Sequence, residues 1–247
     1  MSRWNAAARH LAISVAVFML IGLPLIWLWY PPVYFQAAGA TSLVAALALM
    51  HLGLGPLLTL VVFRSGKRGM KFDLVVIGVL QALAFAFGLS VLSRSRPVFL
   101  VAVPDRFVLV SAGEVSDADL ADGQQEVFRS RSWTGPRLVG AEVPADAKEK
   151  SDLAFSGLAG RDLENLPKYY RDYASTAKVL LSNAKPLDAL RKKHPESTAL
   201  LEGWLARSKR EAASVRWLPL TARSSDMVML VDATTAQVLQ PLAVDPW

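Results

Sequence analysis

LAISVAVFMLIGLPLIWLWY, from Leu11 to Tyr30, settles what kind of protein this is. The run carries no charge and has the roughly 20 residues that a helix needs to cross a bilayer core. Trp27, Trp29 and Tyr30 close it with aromatic rings suited to the membrane–water boundary. Pro24 lies inside and predicts a kink that a membrane helix tolerates, and Pro31-Pro32 then ends the helix. Ala38-Gly39-Ala40 has the small residues of a cleavage site. The apolar run, however, exceeds the ~7–15 residues of a secretory leader, so it reads as a retained anchor.

Two further runs follow, Leu43 to Phe63 and Leu74 to Leu92. No Asp, Glu, Lys or Arg occurs between Arg9 and Arg64. A soluble chain could not cover that much apolar surface, whereas a bilayer supplies an apolar solvent for it. Three transmembrane helices are therefore expected, at about 11–30, 43–63 and 74–92. Membrane lipid is an expected partner.

Charge gives the expected orientation. Residues 1–96 hold eight Lys and Arg against one acid, Asp73, a balance of +7, while residues 97–247 balance to −1. Arg64, Lys67, Arg68 and Lys71 crowd the loop at 64–71, and the loop at 31–42 has no charge. The positive-inside rule then predicts a cytoplasmic N-terminus and basic loop. Three crossings place 97–247 outside, in the periplasm of a bacterial inner-membrane protein. Because the basic excess sits at membrane flanks, no nucleic-acid partner is expected.

Residues 97–247 read as an α+β domain with a mainly antiparallel sheet and helices packed on one face. Val98 to Val103 and Arg106 to Val110 are β-rich runs around a Pro104-Asp105 turn. A polar helix is expected from about Ser116, an irregular strand within Trp133 to Val143, and a helix over Pro144 to Ser156. Another helix is expected over 161–183, broken or started near Pro167, and then helical residues over 186–212 divided by Pro195. Val215 to Leu220, Asp226 to Val231 and Gln237 to Val244 read as three strands. Met227, Val228, Met229, Leu230 and Val231 are a candidate sheet edge, the kind of strand that accepts an added partner.

Little in the chain points to chemistry. There is no Cys, which removes disulfides and thiolates. His10, His51 and His194 are expected at a membrane edge, within a membrane helix and on a surface helix, too dispersed for one metal. No phosphate-binding or nucleophile motif follows a strand. No enzyme activity, cofactor or metal is expected. His51 and Gln81 stand out instead, because polar groups at membrane depth are costly and face other helices. With Gly55 and Pro56 they are candidates either for packing the three helices together or for contacting a partner's transmembrane helix.

Several stretches, in order along the whole chain, resemble the type IV pilin accessory proteins of the TfpX/TfpZ kind. They are Trp29-Tyr30-Pro31-Pro32, Leu54-Gly55-Pro56 through Phe63, Gly66-Lys67-Arg68-Gly69-Met70-Lys71-Phe72-Asp73, Arg96-Pro97-Val98-Phe99 and the terminal Asp245-Pro246-Trp247. The resemblance implies a chaperone that holds a major type IV pilin in the inner membrane before pilus assembly, and it implies no catalytic residues. The membrane helices would shield the pilin stem, with His51 placed to meet a carboxylate buried there, and the soluble domain would contact the pilin head. The alternative is a membrane-anchored sensor whose periplasmic domain binds a small ligand.

Overall fold

The computed structural model describes residues 2–158 and 160–247. The chain divides into two compact units. One comprises residues up to Phe35 and Gly39–Arg96, and the other comprises Gln36–Ala38 and Pro97–Trp247.

The first unit is built on three helices long and apolar enough to cross a membrane: α1, Arg3–Trp29; α2, Ala40–Val62; and α3, Met70–Ser95. Each extends past the expected uncharged run. Ser2 caps α1 by accepting from the Asn5 N–H at 3.2 Å, so the helix begins eight residues before Leu11. Arg3 and Arg9 do not break it, because long basic side chains extend from a helix end towards water. The connection between α2 and α3 turns at Gly66 and Gly69, both at positive φ. Within this unit Tyr30 donates to the Leu92 carbonyl at 2.8 Å, and the Arg96 guanidinium lies 5.9 Å from the Trp29 ring centroid.

The second unit holds one sheet. Its strands are β1, Pro97–Val103; β2, Arg106–Ser111; β3, Arg137–Ala141; β4, Tyr170–Arg171; β5, Lys185–Pro186; β6, Val215–Thr221; β7, Met227–Asp232; and β8, Val238–Leu242. The order is β4-β3-β1-β2-β6-β7-β8, with β5 alongside β6. Most pairs are antiparallel, and β1–β3 and β2–β6 are parallel. The sheet is thus mixed and mainly antiparallel, as the sequence predicts. β1 is apolar and buried at every position, the pattern of a strand covered on both faces. Pro219 lacks an N–H, yet sits in an interior strand. It falls between the stretch of β6 paired to β5 at Arg216 and Trp217 and the stretch paired to β2 at Leu220 and Thr221.

Among the described residues five α-helices accompany the sheet: α4, Asp117–Ala121; α5, Ala147–Leu158; α6, Tyr173–Asn183; α7, Leu187–Lys193; and α8, Thr198–Ser208. They do not share one face, contrary to the sequence expectation. Phe99, Val101 and Val139 point to one side and join Leu120, Phe128, Leu163 and Tyr170 in a buried cluster. Trp217, Val228 and Leu230 join Leu187, Leu190, Leu201 and Trp204 in another. Gly140, which alternates with Val139, faces the opposite side. There α6 comes so close that a Cβ on Gly140 would lie 2.2 Å from Thr176 Oγ1. The expected helix over 161–183 begins only at Tyr173. Before it, Asp162 and Asn165 form a capping box around a single 3₁₀ turn, and Pro167 starts another.

Candidate functional site

The polar residues of the first unit meet in one place because they recur every fourth residue. Such spacing keeps side chains on one helix face. Ser14, Phe18 and Gly22 are buried on α1, His51, Gly55 and Thr59 on α2, and Ile77, Gln81 and Phe85 on α3. These three faces converge on Gln81.

The middle of α2 is not α-helical. Leu49–Leu54 form a π-helical turn that ends against Gly55-Pro56. A π-turn would pair the His51 carbonyl with the N–H five residues on, but that residue is Pro56, which has none. Gln81 fills the gap, with its Nε2 donating to the His51 carbonyl at 2.7 Å. The same amide donates to Ser14 Oγ at 2.7 Å and stands 3.4 Å from His51 Nδ1. Its Oε1 lies 2.5 Å from His10 Nε2, and His10 Nδ1 lies 2.6 Å from Thr59 Oγ1. Gly55 makes room for this, since a Cβ there would lie 1.8 Å from Gln81 Oε1. Gly53, two residues earlier, meets only Leu49 at an ordinary 3.7 Å.

These contacts fix hydrogen positions. A carbonyl only accepts, so the Gln81 nitrogen is the atom facing His51 O, and its oxygen must face His10. His10 Nε2 therefore carries the proton and donates, and Nδ1 accepts from the Thr59 hydroxyl. His51 Nδ1 stands beside the same nitrogen, whose two hydrogens already point to Ser14 Oγ and the His51 carbonyl. The His51 ring stacks on Phe85 at 4.2 Å and 30°. His51 is only 6% exposed, and its Nε2 has no hydrogen-bond partner among the described residues. A groove between α2 and α3 is lined by His51 and Gln81 together with Met50, Leu54, Leu80 and Phe85.

The structure thus brings together four of the residues singled out from sequence, His51, Gly55, Pro56 and Gln81. It also draws in three others. His10 is not an edge residue but a direct partner of Gln81, and Ser14 and Thr59 complete the network. The four-residue spacing of His10 with Ser14, and of His51 with Gly55 and Thr59, is the signal that points to them. Among the described residues no group of three His, Cys, Asp or Glu could hold a metal. Arg64, Lys67, Arg68 and Lys71 lie on the α2–α3 connection and the start of α3, with Lys67 Nζ 2.5 Å from Asp73 Oδ2. Met227, Val228, Met229, Leu230 and Val231 are not a sheet edge. They form β7, hydrogen-bonded to β6 on one side and β8 on the other, and all five are buried. The sheet ends instead at β4 and β8.

Neither a protein-family model nor a solved structure matches the chain. Curated relatives do. A fimbrial assembly protein of Dichelobacter nodosus, serogroup E1, is 24% identical over 227 residues, covering 90% of this chain and 88% of that protein. The serogroup I fimbrial assembly protein of the same organism is 27% identical over 180 residues, 72% of this chain and 70% of that one. The fimbrial assembly protein of serogroups C1 and C2 is 28% identical over 108 residues, 43% of this chain and 82% of its own length.

Proposed function

We propose that this chain acts in type IV pilus biogenesis, as a non-catalytic accessory protein of the TfpX/TfpZ kind that binds and stabilises a major pilin in the inner membrane before assembly. The observation that carries this reading is the match to a fimbrial assembly protein over 90% of the chain, which spans both units. Three helices of membrane-crossing length and composition are consistent with holding a client that is itself partly in the bilayer. The basic connection between α2 and α3 supports a cytoplasmic N-terminus and a periplasmic second unit.

In this reading the membrane helices shield the apolar stem of the pilin, and the second unit contacts its globular head. The test is to tag the N-terminus, crosslink intact cells, solubilise the membranes and identify what co-purifies. A major pilin as the dominant partner, together with loss of pilin or of surface pili on deletion, is the expected result. Normal pili in the deletion strain and no pilin in the crosslinked material would overturn it.

A further inference from the structure

We propose that the loop at residues 129–136, centred on Trp133, rests in the headgroup layer of the bilayer that α1, α2 and α3 are long and apolar enough to cross. The partner is the phospholipid surface itself, so the inference stands whether or not the client is a pilin.

Three observations converge on a lipid surface. The first is where the loop sits in the sheet. β3 starts beside the start of β1, with Arg137 opposite Phe99 in parallel register. On the other side of Trp133, Arg131 Nε donates to the Ala112 carbonyl at 3.0 Å, and Ala112 follows Ser111, which pairs with Pro97. Both flanks of Trp133 are thus held at the end of the sheet where β1 begins. Four residues separate Trp133 from Arg137, a reach of at most about 14 Å. The second observation is what the chain attaches to that end. α3 closes at Ser95, two residues before Pro97. With 26 residues it is about 39 Å long, so its ends reach the headgroup layers of a core about 30 Å thick. β6 runs parallel to β2 towards the same end, and beyond its last residue, Thr221, the Ser224 N–H donates to the Ala37 carbonyl at 2.9 Å. Ala37 lies in the short segment between α1 and α2. Chain continuity therefore ties this end of the sheet, at two points, to the ends of membrane-length helices. The third observation is the chemistry of the loop. Residues 127–141 hold three Arg and no acid, although residues 97–247 balance to −1. Trp133 is 63% exposed. An amphipathic indole among arginines suits the membrane–water boundary, with the ring among the headgroups and guanidinium groups on phosphates.

The loop is held in shape before any such contact. Arg129 Nε donates to the Gly123 carbonyl at 2.8 Å, Arg137 Nη1 donates to the Ser130 carbonyl at 3.1 Å, and the Arg137 guanidinium lies 5.9 Å from the Phe99 ring centroid. Arg131 pairs with Asp117 at 2.5 Å, so the surplus charge is that of Arg129 and Arg137, whose bonds to neutral carbonyls leave it uncancelled. A segment ordered in advance loses less freedom when it meets its partner. The β1–β2 turn has the contrary character. It carries the exposed acid Asp105, and the strand from Pro97 to Val103 puts it about 20 Å from the start of β1.

The chain has no Cys, so a single introduced thiol can be labelled alone. Full-length Thr134→Cys and Asp105→Cys, each carrying an environment-sensitive fluorophore, are reconstituted in liposomes of phosphatidylethanolamine and phosphatidylglycerol with no other protein present. Lipids bearing a nitroxide just below the headgroup are expected to quench the probe at 134 and to leave the probe at 105 as bright as in unlabelled lipid. Equal quenching at the two positions, or none at 134, would overturn the proposal. Quenching at 134 that appears only after a pilin is added would overturn it as well, by giving the loop to a protein partner. In the Thr134→Cys background, Trp133→Ser is expected to reduce the quenching and Trp133→Phe to retain it, with circular dichroism showing that both variants are folded. Quenching unchanged by Trp133→Ser would take the indole out of the contact. If Trp133→Ser fails to accumulate, the comparison of positions 134 and 105 still decides.

Discussion

Gly55 and Gly53 are two residues apart, yet a methyl group would do different things at each. At Gly55 it would occupy the position of the Gln81 carbonyl oxygen, and Gln81 cannot move aside without breaking bonds to His10, Ser14 and His51. Gly55→Ala is expected to destabilise the membrane unit by about 1–3 kcal/mol, the usual range for overpacking. Gly53→Ala is expected to change it by less than about 0.5 kcal/mol, as an exposed site does. Thermal unfolding in detergent of both variants checks the contrast. Gln81→Leu, which strips three groups of their partner at once, is expected to cost about 1–3 kcal/mol in the same assay. At this scale the sequence was informative about His51 and Gln81, because a polar group inside an apolar run is conspicuous. It was silent about His10, whose neighbours Arg3 and Arg9 make it look like part of a charged flank. Only its partners on α2 and α3, 49 and 71 residues away in the chain, reveal its depth.

Short local features were easier to read than pairings between distant strands. The β1–β2 hairpin is legible from two β-rich runs around Pro104-Asp105. The parallel pairing of β1 with β3 and of β2 with β6 is not, since no nearby residue encodes it. Nor can a run such as Met227 to Val231 declare whether it lies inside a sheet or at its rim, because an edge is defined by what is missing beside it. The π-turn of α2 makes a prediction of its own. Pro56→Ala restores an N–H that can satisfy the His51 carbonyl, so it is expected to reduce the cost of Gln81→Leu. A double-mutant cycle in detergent is expected to show coupling of about 0.5–2 kcal/mol. The β7–β8 turn makes another. Asp232 accepts from the Thr235 and Thr234 N–H groups at 3.0 Å each and pairs with Arg210 at 2.8 Å, which together hold its carboxyl below the usual carboxylate range. A depressed folded value stabilises above the unfolded pKa and is lost as pH falls through the folded one. Stability of the second unit, followed by tryptophan fluorescence, is therefore expected to decline as pH drops below about 5. Asp232→Asn is expected to flatten that decline.

For the molecule as a whole, two exchanges test the proposed division of labour. Replacing Arg64, Lys67, Arg68 and Lys71 with Gln is expected to scramble the orientation, read out as lost activity of a C-terminal alkaline phosphatase fusion. Exchanging residues 97–247 for those of a relative is expected to change which pilin is stabilised, measured by pilin abundance in the two host strains. A choice of client that ignores the exchange would place specificity in the helices instead. The assignment of Gln36–Ala38 to the second unit, where the Ala37 carbonyl accepts from the Ser224 N–H at 2.9 Å, bears on how the chain is made. The ribosome releases Ala37 long before Ser224, and at ordinary elongation rates the interval is roughly ten to forty seconds. For that time Gln36–Ala38 exists without the rest of the unit to which it belongs. A nascent chain that stalls before Ser224 therefore leaves the Ala37 carbonyl without the N–H that it meets in the finished protein.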